Sequence, residues 1–185
     1  CGMGKIRGKI QNSFGIGLDG SKFLGRGHSG SVYLMPNGNV IKIFKSEESC
    51  INEYLILQSV RGNAHFPTAH ECRGNCMIRE YVPGICVTEY IKAHGLTKKL
   101  ALNLISLIED FKRLGFKKLD MRCSHIFVQP DESVRVIDPR NHYTQYTPYP
   151  AHLFRNLKEL KVFDQFSAIL KDYSPDLYNS WIIIT

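Results

Sequence analysis

The sequence predicts an α+β fold: a small antiparallel sheet with one helix, then, after Pro83-Gly84, a mainly helical half holding one hairpin. Three observations predict it. Turn-bounded apolar runs of strand length crowd residues 22–82, and helical spacing of apolar residues takes over beyond residue 87. Within that second half, Ile126-Phe127-Val128 and the run 134–137 flank the turn-rich Gln129-Pro130-Asp131-Glu132, which marks a lone hairpin. Two lobes with a cleft between them are expected: an N-terminal lobe over residues 21–82, a link over 80–86 and a reduced second lobe over 87–185.

Each element has its own local reason. Residues 1–20 are rich in Gly, Lys, Ser and Asn and read as an irregular arm. Strand-like ends flank a Gly-rich middle at 23–33, and residues 31–35 and 40–44 face each other across Pro36-Asn37-Gly38-Asn39, a strong hairpin signal. Residues 46–60 place Ile51, Leu55, Ile56 and Val60 at helical spacing with acids early. Strands follow at 66–70 and 77–82 around Arg73-Gly74-Asn75. Leu100, Leu104, Leu107, Ile108 and Phe111 form the stripe of a helix that Thr97 caps and that stops before Gly115. Residues 140–150 read as a loop, and one final helix spans 152–171 with Leu153, Leu157, Leu160, Phe163, Phe166 and Leu170 available for burial.

Composition narrows the function classes. At 185 residues, 43% hydrophobic and 22% charged, the chain suits a soluble globular domain with a sound core. No apolar run approaches the roughly 20 residues a membrane span needs, and Cys1-Gly2-Met3-Gly4 lacks a signal core, so a cytoplasmic location is the expectation. The six cysteines show no disulfide rhythm; His70, Cys72 and Cys76 lack a second ligand pair, which argues against zinc. A net charge of +7 favours acidic partners, but the basic residues are dispersed without interleaved aromatics, so a nucleic-acid partner is not expected.

The chemistry-bearing residues come in a definite order. Gly25, Gly27 and Gly30 form G-x-G-x-x-G-x-V with Val32; a strand and a hairpin follow, where a dinucleotide fold would open a helix. Glycines let main chain approach phosphate oxygens without an intervening side chain. Lys42 stands on the next strand, and Glu53 on the helix beyond is its expected carboxylate partner, with Glu47 and Glu48 as alternates. Asp120 and Asp138 sit at the ends of the runs that bracket the second-half hairpin, which pairing would bring to one end. Two acids so placed can divide a phosphoryl transfer, one orienting the hydroxyl nucleophile and the other holding magnesium; capping turns is their bland alternative.

From residue 24 to residue 141 the chain resembles the eukaryotic-type protein kinase family, and its short helical half resembles the minimal kinase-like proteins of bacteria. The resemblance implies ATP and Mg2+ as cofactors and a protein substrate accepting on Ser or Thr. It gives the nucleotide to Gly25, Gly27, Gly30, Val32, Lys42 and Glu53, with main chain at Glu80 and Val82 of the link meeting adenine. It makes Asp120 the catalytic base, Arg122 the contact of the transferring phosphate, and Asp138 the metal ligand.

Departures from the family pattern matter as much. Lys118-Leu119-Asp120 replaces His-Arg-Asp, which removes the arginine that answers a phosphorylated activation loop. His125 stands in the place of the second metal-binding asparagine, and magnesium prefers oxygen. Asp138-Pro139-Arg140 replaces Asp-Phe-Gly, and no Ala-Pro-Glu follows. These changes motivate the alternative of a pseudokinase that binds nucleotide or acts as a scaffold. A small-molecule kinase is a further alternative, although little chain remains for the helical insertions such enzymes use. Arg79 occupies the position facing the back of the nucleotide pocket; it is expected to turn outward, with capture of Glu53 as the other arrangement.

Overall fold

A computed structural model describes residues 12–116, 121–139 and 147–183. It is α+β, with a small antiparallel sheet and several helices, in two compact units. The first unit comprises Cys1–Arg61 and Thr68–Tyr81, the second Gly62–Pro67 and Val82–Thr185. Among the described residues no helix is long and apolar enough to cross a membrane.

In the first unit, β1 (Lys22–Arg26), β2 (Gly30–Leu34), β3 (Asn39–Phe44), β4 (Ala69–Arg73) and β5 (Cys76–Glu80) pair antiparallel in the order β1-β2-β3-β5-β4. Asn37-Gly38 turns the β2–β3 hairpin: Gly38 takes φ 86°, and its N–H donates to the Met35 carbonyl. The helix α1 (Glu47–Ser59) begins where the Ser46 Oγ accepts from the Ser49 N–H. It packs on β3, β4 and β5. Its buried residues are Cys50, Glu53, Ile56 and Leu57, whereas Ile51 and Leu55 are 47% and 57% exposed. Ile56 and Val60 are thus buried as their spacing suggested, while Ile51 and Leu55 lie off the buried face. The carboxylate of Glu53 enters the interior because Lys42 receives it there.

The second unit holds a three-stranded sheet of β6 (Ile85–Cys86), β7 (Ile126–Val128) and β8 (Val134–Val136), in that order. Its helices are α2 (Val87–His94), α3 (Lys98–Arg113), α4 (Ala151–Glu159), α5 (Phe163–Tyr173) and α6 (Pro175–Tyr178), and a π-helical turn at Asn179–Ile183 ends the described chain. The expected stripe of α3 is buried, Thr97 caps it by accepting from the Leu100 N–H, and Gly115 at φ 83° closes it. Gly84 has its own steric reason: at φ 94°, a Cβ would run into the Val128 carbonyl.

Two sequence expectations give way here. The strand placed at 66–70 begins only at Ala69. Pro67 has no N–H for a ladder, and the main chain before it joins the second unit, where the His65 carbonyl accepts from the Val136 N–H at 2.7 Å. Phe66 accordingly stacks with Phe111 and Phe116 at centroid distances of 5.8 and 6.0 Å. The single helix expected at 152–171 is broken into α4 and α5. Lys161 adopts φ 59° and the Val162 N–H donates to the Leu157 carbonyl, a Schellman stop built without glycine.

Candidate functional site

The register of the five-stranded sheet sets Gly25 opposite Val32, Val32 opposite Lys42, and Lys42 opposite Met77. Directly paired residues share a face of a sheet, so the candidate nucleotide residues of three strands stand in one row. Lys42 Nζ lies 2.6 Å from Glu53 Oε2, with the side chains 4% and 6% exposed. The ammonium also sits 4.6 Å from the centroid of the Phe44 ring, two residues along the strand on the same face. The structure thus brings Lys42, Glu53 and Val32 together.

The three glycines of the hairpin differ in what they are for. A Cβ at Gly30 would collide with the Ile43 carbonyl, so packing against β3 alone requires glycine there. Gly25 and Gly27 would meet nothing within 4 Å, and neither takes a positive φ. Neither internal packing nor backbone conformation asks for glycine at those two positions.

Arg79 is only 4% exposed, contrary to the outward placement expected. Its Nη1 donates to the Glu80 carbonyl at 2.8 Å, which satisfies part of the guanidinium inside the sheet. The Glu80 N–H donates to the Thr68 carbonyl and the Glu80 carboxylate accepts from the Thr68 N–H. The carbonyl expected to meet adenine therefore already accepts a hydrogen bond from within the sheet.

In the second unit, Val82 is buried and the Pro83 carbonyl accepts from Gln129 Nε2. Arg122 is exposed and precedes a 3-10 turn at Cys123–His125. The Ile137 N–H donates to the His125 carbonyl, which aligns the residues that end the hairpin. Asp138, 15% exposed, has its Oδ2 3.8 Å from His125 Nε2. Asp120 lies outside the described residues.

The donor chemistry bears on both implied groups. A half-buried carboxylate fits magnesium, whereas an imidazole is a poor ligand for so hard an ion, so Asp138 fits and His125 does not. Among the described residues no group of three His, Cys, Asp or Glu side chains is arranged to hold a metal. Near His70, the pairing that does occur is Cys50 Sγ to Cys72 Sγ at 3.2 Å, with Cys76 bonded to Asn75. Burial, and then Cys72 beside it, push the Cys50 thiol up, which disfavours the thiolate that zinc binding needs. For the nucleotide, the buried ammonium suits phosphates, and open space stands where a Cβ would be at Gly25 and Gly27, although the Gly27 N–H already donates to the Gly30 carbonyl at 2.9 Å.

Sequence reasoning missed one feature of the second unit. Thr88, Arg122, Ser124, His152, Arg155 and Asn156 line a cavity of about 310 Å³. Only Arg122 carried a signal, because the others come from three segments with no shared motif. No protein-family model matches the chain, and no curated protein matches it.

Proposed function

We propose that this chain is an ATP- and magnesium-dependent phosphotransferase, a protein kinase acting on serine or threonine hydroxyls. One observation carries the reading: α1 is turned so that Glu53 meets Lys42 at 2.6 Å in the interior while Ile51 and Leu55 face outward. The rest of the face that α1 buries is apolar, Cys50, Ile56 and Leu57, with Val60 following at its C-cap. A single carboxylate kept on that buried face, to fix a lysine in the row that holds Val32 and Gly25, suits a chain that must keep that cation positioned for phosphates.

In this reading Lys42 binds the α- and β-phosphates and Glu53 fixes its ammonium. Main chain at Gly25 and Gly27 closes on the same phosphates, and Val32 offers apolar surface to the base. Asp120 accepts the proton of the attacking hydroxyl, and Arg122 offsets charge on the transferring group. Asp138 would hold magnesium, which when bound neutralises phosphate charge.

Calorimetric titration with Mg-ATP and with ATP alone tests this, on the unmodified chain, Lys42→Met and Asp138→Asn, alongside transfer to protein substrates with Asp120→Asn as blank. The expected result is metal-dependent binding lost in both variants and transfer above the blank. Absence of nucleotide binding would end the proposal.

The 3.8 Å approach of His125 Nε2 to Asp138 Oδ2 favours a second reading. An imidazolium there competes with magnesium for the carboxylate, leaving a nucleotide-binding pseudokinase. Thermal stabilisation by ATP without turnover, and gain of transfer in His125→Asn, would favour it over the first.

A further inference from the structure

We propose that the cavity of the second unit is a subsite for a phosphomonoester, and that the acceptor is therefore a protein segment already carrying a phosphoserine. The second clause rests on the kinase reading; the first does not.

The cavity takes Thr88 from α2, Arg122 and Ser124 from the 3-10 turn and its lead-in, and His152, Arg155 and Asn156 from α4. Among the described residues no acidic residue lines it. Glu159, outside the lining, accepts from Asn156 Nδ2 at 3.1 Å. Elsewhere on the surface Arg73 pairs with Glu71, Lys92 with Glu89, and Arg113 with Asp110. Among the described residues, the guanidinium groups of Arg122 and Arg155 make no hydrogen bond or ion pair. Two guanidinium groups on one concave wall repel each other unless an anion joins them.

The lining chemistry selects the anion. A guanidinium grips two oxygens of a phosphate with a fork of parallel N–H donors, and two such forks approach a tetrahedral group from different sides. The hydroxyls of Thr88 and Ser124 can donate to remaining oxygens. A phosphomonoester offers about −1.5 to −2 charges and three acceptor oxygens, where a carboxylate offers one charge and two. About 310 Å³ is at the small end of ligand pockets and leaves room for a phosphoryl group with the atoms attached to it. Arg122 follows Asp120 by two residues in the chain, which ties the cavity wall to the loop that would receive the acceptor hydroxyl.

O-phospho-L-serine is titrated calorimetrically into the full chain, into Arg155→Ala and Arg155→Lys, with L-glutamate as the carboxylate control. The expected results are binding weakened at least tenfold by Arg155→Ala, partly restored by Arg155→Lys, reduced by added salt, and not reproduced by glutamate. Far-UV circular dichroism checks that the exposed Arg155 can be replaced without unfolding. A silent titration, equal binding to Arg155→Ala, or equal binding of glutamate would overturn the subsite, whatever ATP does. Arg155-dependent phosphoserine binding in a chain that neither binds nor turns over ATP would keep the subsite and overturn its assignment to an acceptor.

Discussion

Removing either partner of the Lys42–Glu53 pair should harm folding more than removing both. At 2.6 Å and an effective dielectric of about 20, their attraction is about 6 kcal/mol. Desolvating each ion takes back several kcal/mol, which leaves the intact pair near neutrality relative to apolar residues of similar size. Lys42→Met leaves the Glu53 carboxylate in an interior where it is 6% exposed, and Glu53→Leu does the same to the ammonium, so each should cost about 3–5 kcal/mol. The double variant removes both charges, keeps apolar volume beside Phe44, and should fall within about 1 kcal/mol of the parent or above it. Urea denaturation at pH 7 of all four proteins gives the coupling energy as a double-mutant cycle. Mg-ATP titration on the same samples should show that every variant, including the stable double one, loses nucleotide. Additive destabilisation would refute the claim that burial of the pair makes the partners interdependent. A double variant that binds Mg-ATP as the parent does would refute the claim that the pair is kept for phosphates.

Three further outcomes are expected. Gly30→Ala should destabilise by about 1–3 kcal/mol through collision with the Ile43 carbonyl, whereas Gly25→Ala and Gly27→Ala should unfold within about 0.5 kcal/mol of the parent and weaken nucleotide about tenfold; paired urea curves and calorimetry check this. Lys161→Gly should raise stability by about 1 kcal/mol by relieving the left-handed backbone that splits α4 from α5, read from the shift in urea midpoint. Phe66→Ala should cost about 3–5 kcal/mol, because its ring is 4% exposed and contacts Phe111 and Phe116, and loss of near-UV dichroism would accompany the shift.

Local signals made some elements legible and left others hidden. Thr97 and Gly115 bound α3 because each satisfies orphaned backbone groups in a way few residues can, and Asn37-Gly38 fixes the β2–β3 hairpin for the same kind of reason. The break after α4 carried no such mark: Lys161 sits where glycine ordinarily would, so the apolar spacing ran on unbroken. Phe66 read as strand because its apolar neighbours suggested one; Pro67 was the contrary sign. The order of Gly25, Gly27, Lys42 and Glu53 was legible as a set, since a specific sequence of rare requirements outweighs each member. The cavity at Arg122 and Arg155 was not, because its residues meet only through tertiary packing of α2 and α4.

The places where apolar patterning fails separate into two kinds. Lys161 breaks a helix with only local strain around it. The other exceptions lie together in the first unit: Glu53 is the one acid on the buried face of α1, Lys42 lies against it at 3% exposure, and Gly25 and Gly27 have no internal need to be glycine. A sequence settles on one structure when its local and global preferences agree, and concentrated disagreement marks positions held for another purpose. That argument depends on no motif. Replacing Ile51 or Leu55 by polar residues would not disturb it, but a Glu53→Leu variant that turned α1 to bury Leu55 would show the helix to be held in place by this one carboxylate.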